Sequence, residues 1–187
     1  MSAIAAVLVT LPLGAATIEV RVARAGGAPV NDAVVYAVPA TPLPLARKVG
    51  IMDQVDRMFV PHVLPVQTGT WVEFPNSDNI RHQVFSLSPA RRFQLPLYVG
   101  KPARPIQFPE AGIVAIGCNI HEQMSGFIIV VDTPYFATTR EGQATLDGIV
   151  AGEYTVRVWY PGMKTEPEPQ VVKLGGTEKK SLSIVAR

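Results

Sequence analysis

The sequence predicts an all-β protein of sandwich architecture on three observations. Apolar and polar residues alternate with a period of two at both ends: Ile18, Val20 and Val22 against Glu19, Arg21 and Ala23, then Tyr154, Val156 and Val158 against Thr155 and Arg157. That alternation is the mark of a half-buried strand. The 17 prolines and 15 glycines among 187 residues interrupt the chain too often for an amphipathic helix of ordinary length. A single Cys excludes an internal disulfide, a four-cysteine zinc site and a C-x-x-C redox pair, so packed sheets must hold the fold.

The chain opens with MSAIAAVLVTLPLGAA, sixteen residues without a charged side chain. The apolar run from Ala3 to Leu13 is too short to span a bilayer and ends in small residues, the pattern of a signal peptide over residues 1–16. A mature chain starting near Thr17 and exported is expected. The whole chain is 17% charged with a net charge of +2, which is neither disordered nor strongly basic. Lys and Arg are spread along it, so nucleic acid is not an expected partner.

Taken in order, Ile18 to Val22 is the first strand, and Gly26-Gly27 turns the chain. Pro29 to Val38 supplies a second strand, and Pro39, Pro42 and Pro44 mark a boundary. Ile51, Met52, Val55 and Phe59 permit one short helix. Gly69 to Phe74 reads as a strand, Asn76-Ser77-Asp78 as a turn, and His82 opens a run to Leu87. Gly112 to Cys118 and Phe127 to Val131 are apolar strands flanking the loop Cys118-Asn119-Ile120-His121-Glu122-Gln123-Met124. Glu141-Gly142 and Ala151-Gly152 are turns around the strand of Ala144 and Leu146, and Val171 to Leu174 and Ser181 to Val185 close the list.

The middle of the chain carries the chemistry. A Cys at a strand end, a His in the tight loop and a Met where the next strand begins can converge on one point, and His82 on a neighbouring strand can complete the set. Two imidazoles, a thiolate and a weak axial thioether are the donors of a blue-copper electron-transfer centre. The soft sulfurs favour Cu(I), the imidazoles accept Cu(II), and a rigid loop limits rearrangement between the two. Zinc accepts Cys and His, but a thioether is a poor fourth ligand for it. Glu122 and Gln123 are alternative axial donors to Met124. Taken alone, Cys118 and Met124 also read as core residues. His62 reads as a structural or surface His, although with Met52 and Met58 it could form a second soft copper site.

The stretches VQTGTWVEFPNSDNIRHQVFS and CNIHEQM resemble the cupredoxin family, and the C-x2-H-x2-M spacing is similar to that of amicyanin. The longer wording FVPHVLPVQTGT, FQLPLY and CNIHEQMSGFIIVVDTPYFATT resembles the periplasmic, methylamine-utilisation-type cupredoxin-like proteins. That resemblance implies a cupredoxin-type Greek-key sandwich over residues 50–132 holding one type 1 copper on His82, Cys118, His121 and Met124. Two positions depart from the plastocyanin pattern: Gln83 stands where Asn often follows the first His, and Gly117 stands where an aromatic residue often precedes the Cys. The two ends, GAPVNDAVVYAV and TREGQATLDGIVAGEYTVRVWYPG, resemble the carboxypeptidase regulatory-like (transthyretin-like) sandwich. Neither end has enough strands alone, so residues 17–49 and 133–187 are expected to close one split sandwich around the inserted middle, with one larger continuous sandwich as the simpler alternative.

The function expected is a periplasmic protein carrying one electron between redox partners, and not an enzyme, with a copper carrier serving an apo-enzyme as the alternative. An accessory subunit of an oxidoreductase is a third reading, while three His are too few for a trinuclear-copper oxidase. Between Asn79 and Pro109 lie Arg81, Arg91, Arg92, Lys101 and Arg104 and no acidic residue. If gathered beside the copper, they would favour an acidic redox partner.

Overall fold

The computed structural model describes residues 15–44, 48–102 and 104–187. The proposed signal peptide falls almost wholly outside the described residues, as do residues 45–47 near the expected boundary. The described chain is all-β. In order, its strands are β1 Ala16–Arg24, β2 Val34–Pro39, β3 Val49–Ile51, β4 Asp53–Val55, β5 Met58–Val60 and β6 Val63–Gln67. There follow β7 Trp71–Glu73, β8 Phe85–Ser86, β9 Phe93–Gln94, β10 Ile106–Gln107, β11 Gly112–Gly117 and β12 Ser125–Val131. The last five are β13 Phe136–Thr138, β14 Gln143–Ile149, β15 Gly152–Trp159, β16 Gln170–Leu174 and β17 Lys179–Ala186.

The first and last parts of the chain pair with each other. One sheet has the order β14-β1-β17 and another the order β13-β2-β15-β16. In the first, Ile18, Val20 and Val22 all point inward, fully buried, as their alternation requires. In the second, β2 runs antiparallel to β15 from Tyr154 opposite Pro39 to Trp159 opposite Val34. Between the sheets lies one core that includes Ile18, Val20, Val35, Leu146, Tyr154, Val156 and Ile184. The Glu141-Gly142 turn works because both residues have positive φ, 51° and 73°, the requirement of a tight hairpin turn.

Strands β3 to β12 pair only among themselves, in sheets ordered β10-β7-β3, β6-β12-β11-β8-β9 and β4-β5. Their own core includes Phe59, Val72, Phe74, Phe108, Val114 and Ile128, together with Cys118 and Met124. Pro65 is tolerated inside β6 because β6 is the edge of its sheet. The two cores meet at a third cluster, where Trp159 and Val34 pack on Val63, Ile129 and Val131. At the point of return, Thr133 is buried and its hydroxyl donates to the Ala37 carbonyl at 2.6 Å.

The short helix expected around Ile51 to Phe59 does not form. That segment is β3, β4 and β5, and Asp56 and Arg57 form a two-residue hairpin turn with φ of 53° and 58°. Two consecutive left-handed residues make a type I′ turn, which neither helix nor an unbroken strand can contain. The run expected from His82 to Leu87 is also shorter: β8 is Phe85–Ser86, and His82 makes an isolated bridge to Tyr98.

Candidate metal centre

Three chain segments converge at one end of the inner sheets. β11 delivers Cys118 just past its last residue, and β12 begins at Ser125, so the intervening loop has seven residues to reverse direction. Two backbone hydrogen bonds close it: the Cys118 N–H donates to the Met124 carbonyl at 3.2 Å and the Met124 N–H to the His121 carbonyl at 2.9 Å. The third segment, residues 76–82, is fastened by the buried Asn76, whose side-chain amide donates to the Ile80 carbonyl at 2.9 Å and the Tyr98 carbonyl at 2.7 Å. His82 and Tyr98 exchange backbone hydrogen bonds of 3.1 and 3.0 Å. Backbone hydrogen bonds and the Asn76 side chain thus fix both arms before the ligating side chains are considered.

The side chains that result are close together. One ligand atom each from His82, Cys118 and His121 lies within 4.8 Å of the others, and among the described residues no other group of three His, Cys, Asp or Glu does so. The two imidazoles face each other Nδ1 to Nδ1 at 3.2 Å, and His121 Nδ1 is 3.8 Å from Cys118 Sγ. His82 is fully buried, Cys118 is buried and His121 is half-buried. Met124 is buried in the same core cluster as Cys118. Glu122 and Gln123, the alternative axial donors, are both exposed.

The orientation of His82 has a physical cause. Its Nε2 lies 2.6 Å from Asp78 Oδ2, and a carboxylate is an acceptor, so Nε2 carries the proton and donates. In the neutral imidazole Nδ1 then keeps its lone pair, 3.2 Å from His121 Nδ1. Asp78 is itself held: burial raises its pKa, but hydrogen bonds from the Arg57 amide, from His82 and from the Asp56 amide outweigh this and keep it below the usual carboxylate value. The donor set is therefore a thiol sulfur and two imidazole nitrogens, one of them with its tautomer fixed. That set fits a copper ion, which accepts both soft sulfur and imidazole.

Both departures in the sequence have counterparts here. Gln83 does tie the two arms together, since its backbone N–H donates to Cys118 Sγ at 3.5 Å and its side-chain carbonyl accepts from the Asn119 amide at 2.7 Å. At Gly117 a Cβ would come within 3.2 Å of the Phe85 ring, so the aromatic surface beside the Cys comes from β8. Sequence reasoning missed Asp78, Asn119 and Phe85 as participants. The only signal was the clustering of polar residues in 76–79, which reads equally well as a plain turn.

The remaining candidates differ in exposure. Met52 is fully buried in the core, Met58 is 57% exposed, and His62 is exposed with its ring edge-on to Phe127 at 5.7 Å. The basic residues differ in their surroundings. Arg81 is exposed next to His82, but Lys101 pairs with Glu73 at 3.6 Å. Arg91 and Arg92 follow Ala90, which packs against Gly112 at the end of β11 opposite Cys118.

Beneath the His82 arm, the Tyr98 hydroxyl donates to the Phe74 carbonyl at 2.6 Å and accepts from the Gln54 side-chain amide at 2.5 Å. Burial is the largest cause pushing its pKa up to about 12. Because the folded value lies above the unfolded value of about 10, the stability it lends is complete below that pH and is lost as pH rises toward the folded value. Tyr98→Phe should cost about 1–2 kcal/mol at neutral pH and should flatten the decline above about pH 10. Urea unfolding of the two proteins at neutral and alkaline pH checks both outcomes.

No protein-family model matches the chain, and no curated protein matches its sequence. Among solved structures it is similar to the Cu-containing nitrite reductase NirK from Thermus scotoductus SA-01, with 26% identity and a TM-score of 0.43 over 50% of this chain. The chain spans only 26% of that protein's length. It is also similar to an amicyanin variant in the reduced Cu(I) form at pH 4, with 20% identity and a TM-score of 0.41 over 52% of this chain and 98% of that one. A second reduced amicyanin variant gives 22% identity and a TM-score of 0.40 over 51% of this chain and 99% of that one.

Proposed function

We propose that this chain is a cupredoxin-type protein that carries one electron between redox partners through a single type 1 copper, held by His82, Cys118, His121 and Met124. The observation that carries this reading is the convergence of two imidazole Nδ1 atoms and one thiol sulfur within 4.8 Å. Copper, when bound, supplies a centre that alternates between Cu(II) and Cu(I). The chain supplies the frame. Cys118 sits at a strand end, and the loop carrying His121 and Met124 is closed by backbone hydrogen bonds, so the donors have little freedom to rearrange when the charge changes. Of the three clustered groups, His121 is the most exposed, beside Ile120 at 53% exposure, and this is where an electron would enter or leave.

In this reading the protein is not an enzyme, works in the periplasm after loss of its leader, and comprises an inner cupredoxin unit of residues 50–132 inserted between the halves of a second sandwich. The partner is a redox protein. The alternative is a copper carrier for an apo-enzyme. Loading the purified protein with Cu(II) separates them. An intense visible thiolate band with reversible one-electron reduction and no loss of metal supports electron transfer, whereas tight Cu(I) binding with rapid handover to a chelator supports the carrier. A colourless loaded protein would overturn the type 1 assignment.

Met124 gives a sharper test. Met124→Leu keeps the volume of a buried side chain, at a stability cost below about 1.5 kcal/mol, and deletes only the weak axial donor. The copper should stay, the visible band should persist, and the reduction potential should rise because Cu(II) loses a ligand. Cyclic voltammetry reads this directly; an unchanged potential would assign Met124 to the core alone.

A further inference from the structure

We infer that Asp78 is a positioning residue of the metal centre, and that the two-residue turn between β4 and β5 is the clamp holding it. The inference rests on the copper reading above. Three donors meet one carboxylate: the Asp56 N–H reaches Oδ1 at 2.7 Å, the Arg57 N–H reaches Oδ2 at 3.0 Å, and His82 Nε2 lies 2.6 Å from Oδ2. The first two are backbone amides made to point the same way by consecutive positive φ angles of 53° and 58°. Such a pair forms a small anion-binding concavity, here occupied by the protein's own carboxylate.

The turn is tied to the loop bearing Asp78 along its length. The Gln54 N–H donates to the Pro75 carbonyl at 3.1 Å, the Ser77 N–H to the Gln54 carbonyl at 3.0 Å, and the Ser77 hydroxyl to Asp53 at 2.8 Å. Asp78 therefore cannot rotate away, and His82, with no exposed surface, cannot reach another acceptor by turning toward solvent. A carboxylate on the far nitrogen of a ligating imidazole fixes its tautomer and makes it a stronger donor. A stronger donor favours Cu(II) over Cu(I), so the clamp holds the potential down.

Asp78→Asn tests this with a side chain of nearly the same shape. Its amide has one acceptor oxygen and one NH2 to set against three donors, so at least one donor faces another. The Cu(II)-over-Cu(I) preference should fall about tenfold, a rise of about 59 mV in a one-electron potential, with the visible band retained. The turn variant D56V/R57V places β-branched residues at positive φ, which they resist, and should move the potential in the same direction. NMR of the wild-type Cu(I) form supplies a second readout: a slowly exchanging His82 Nε2–H proton is expected. An Asp78→Asn potential within twofold of wild type in Cu(II)/Cu(I) preference, or a fast-exchanging Nε2 proton, would overturn the inference. A turn variant that folds and leaves the potential unmoved would overturn the clamp. Should either variant fail to fold, the NMR result decides. A wild-type protein with no visible band defeats the copper reading itself, a different outcome from each of these.

Discussion

Cys118→Ser is expected to abolish the intense visible absorption of the copper-loaded protein even where copper still binds. The band belongs to charge transfer from a thiolate, and a serine hydroxyl remains protonated and hard where the thiolate is soft. The substitution is nearly isosteric at a buried position, and an oxygen can still accept the Gln83 N–H that reaches Sγ in the native protein. The fold should therefore survive, and near-UV circular dichroism of the metal-free variant would verify that it does. Copper affinity should fall with the loss of the only thiol in the chain. A variant with an unchanged visible spectrum would show that Cys118 is not a ligand, and the alternative reading of this residue as plain core would stand.

Trp159→Ala should produce the largest loss of stability, about 3–5 kcal/mol. The indole lies 7% exposed in the cluster that joins the two cores, with its ring 5.1 Å from that of Phe127. Truncation leaves a cavity facing Val63, Ile129 and Val131 on one side and Val34 on the other. Because strands from both cores line that cavity, neither can collapse into it without moving the other. Urea unfolding followed by tryptophan-independent probes, far-UV dichroism and tyrosine emission, should show a lower midpoint. Two transitions in the variant where the native protein shows one would mean that the contact also couples the unfolding of the two cores it joins. A loss below about 1 kcal/mol would show that the two cores barely depend on this contact.

The sequence by itself determined the class of the fold and placed three of the four proposed ligands in one short loop, for a physical reason: the relevant information is local. Alternation with period two survives in any strand that buries one face, so Ile18 to Val22 and Tyr154 to Val158 were legible without knowledge of their partners. Cys118, His121 and Met124 are separated by two residues each, and a loop that short holds its side chains near one another whatever surrounds it. What the tertiary structure decided is everything that depends on backbone groups distant in sequence. The apolar residues at 51, 52, 55 and 59 fit a helix as well as a hairpin, and the residues that choose between them, Asp56 and Arg57, adopt positive φ without being glycine. The clamp on Asp78 uses the amides of those same residues, 22 and 21 positions away. An amide donor carries no side-chain identity, since every residue but proline has one. No pattern in the sequence can therefore announce such a contact, and only the path of the folded chain creates it.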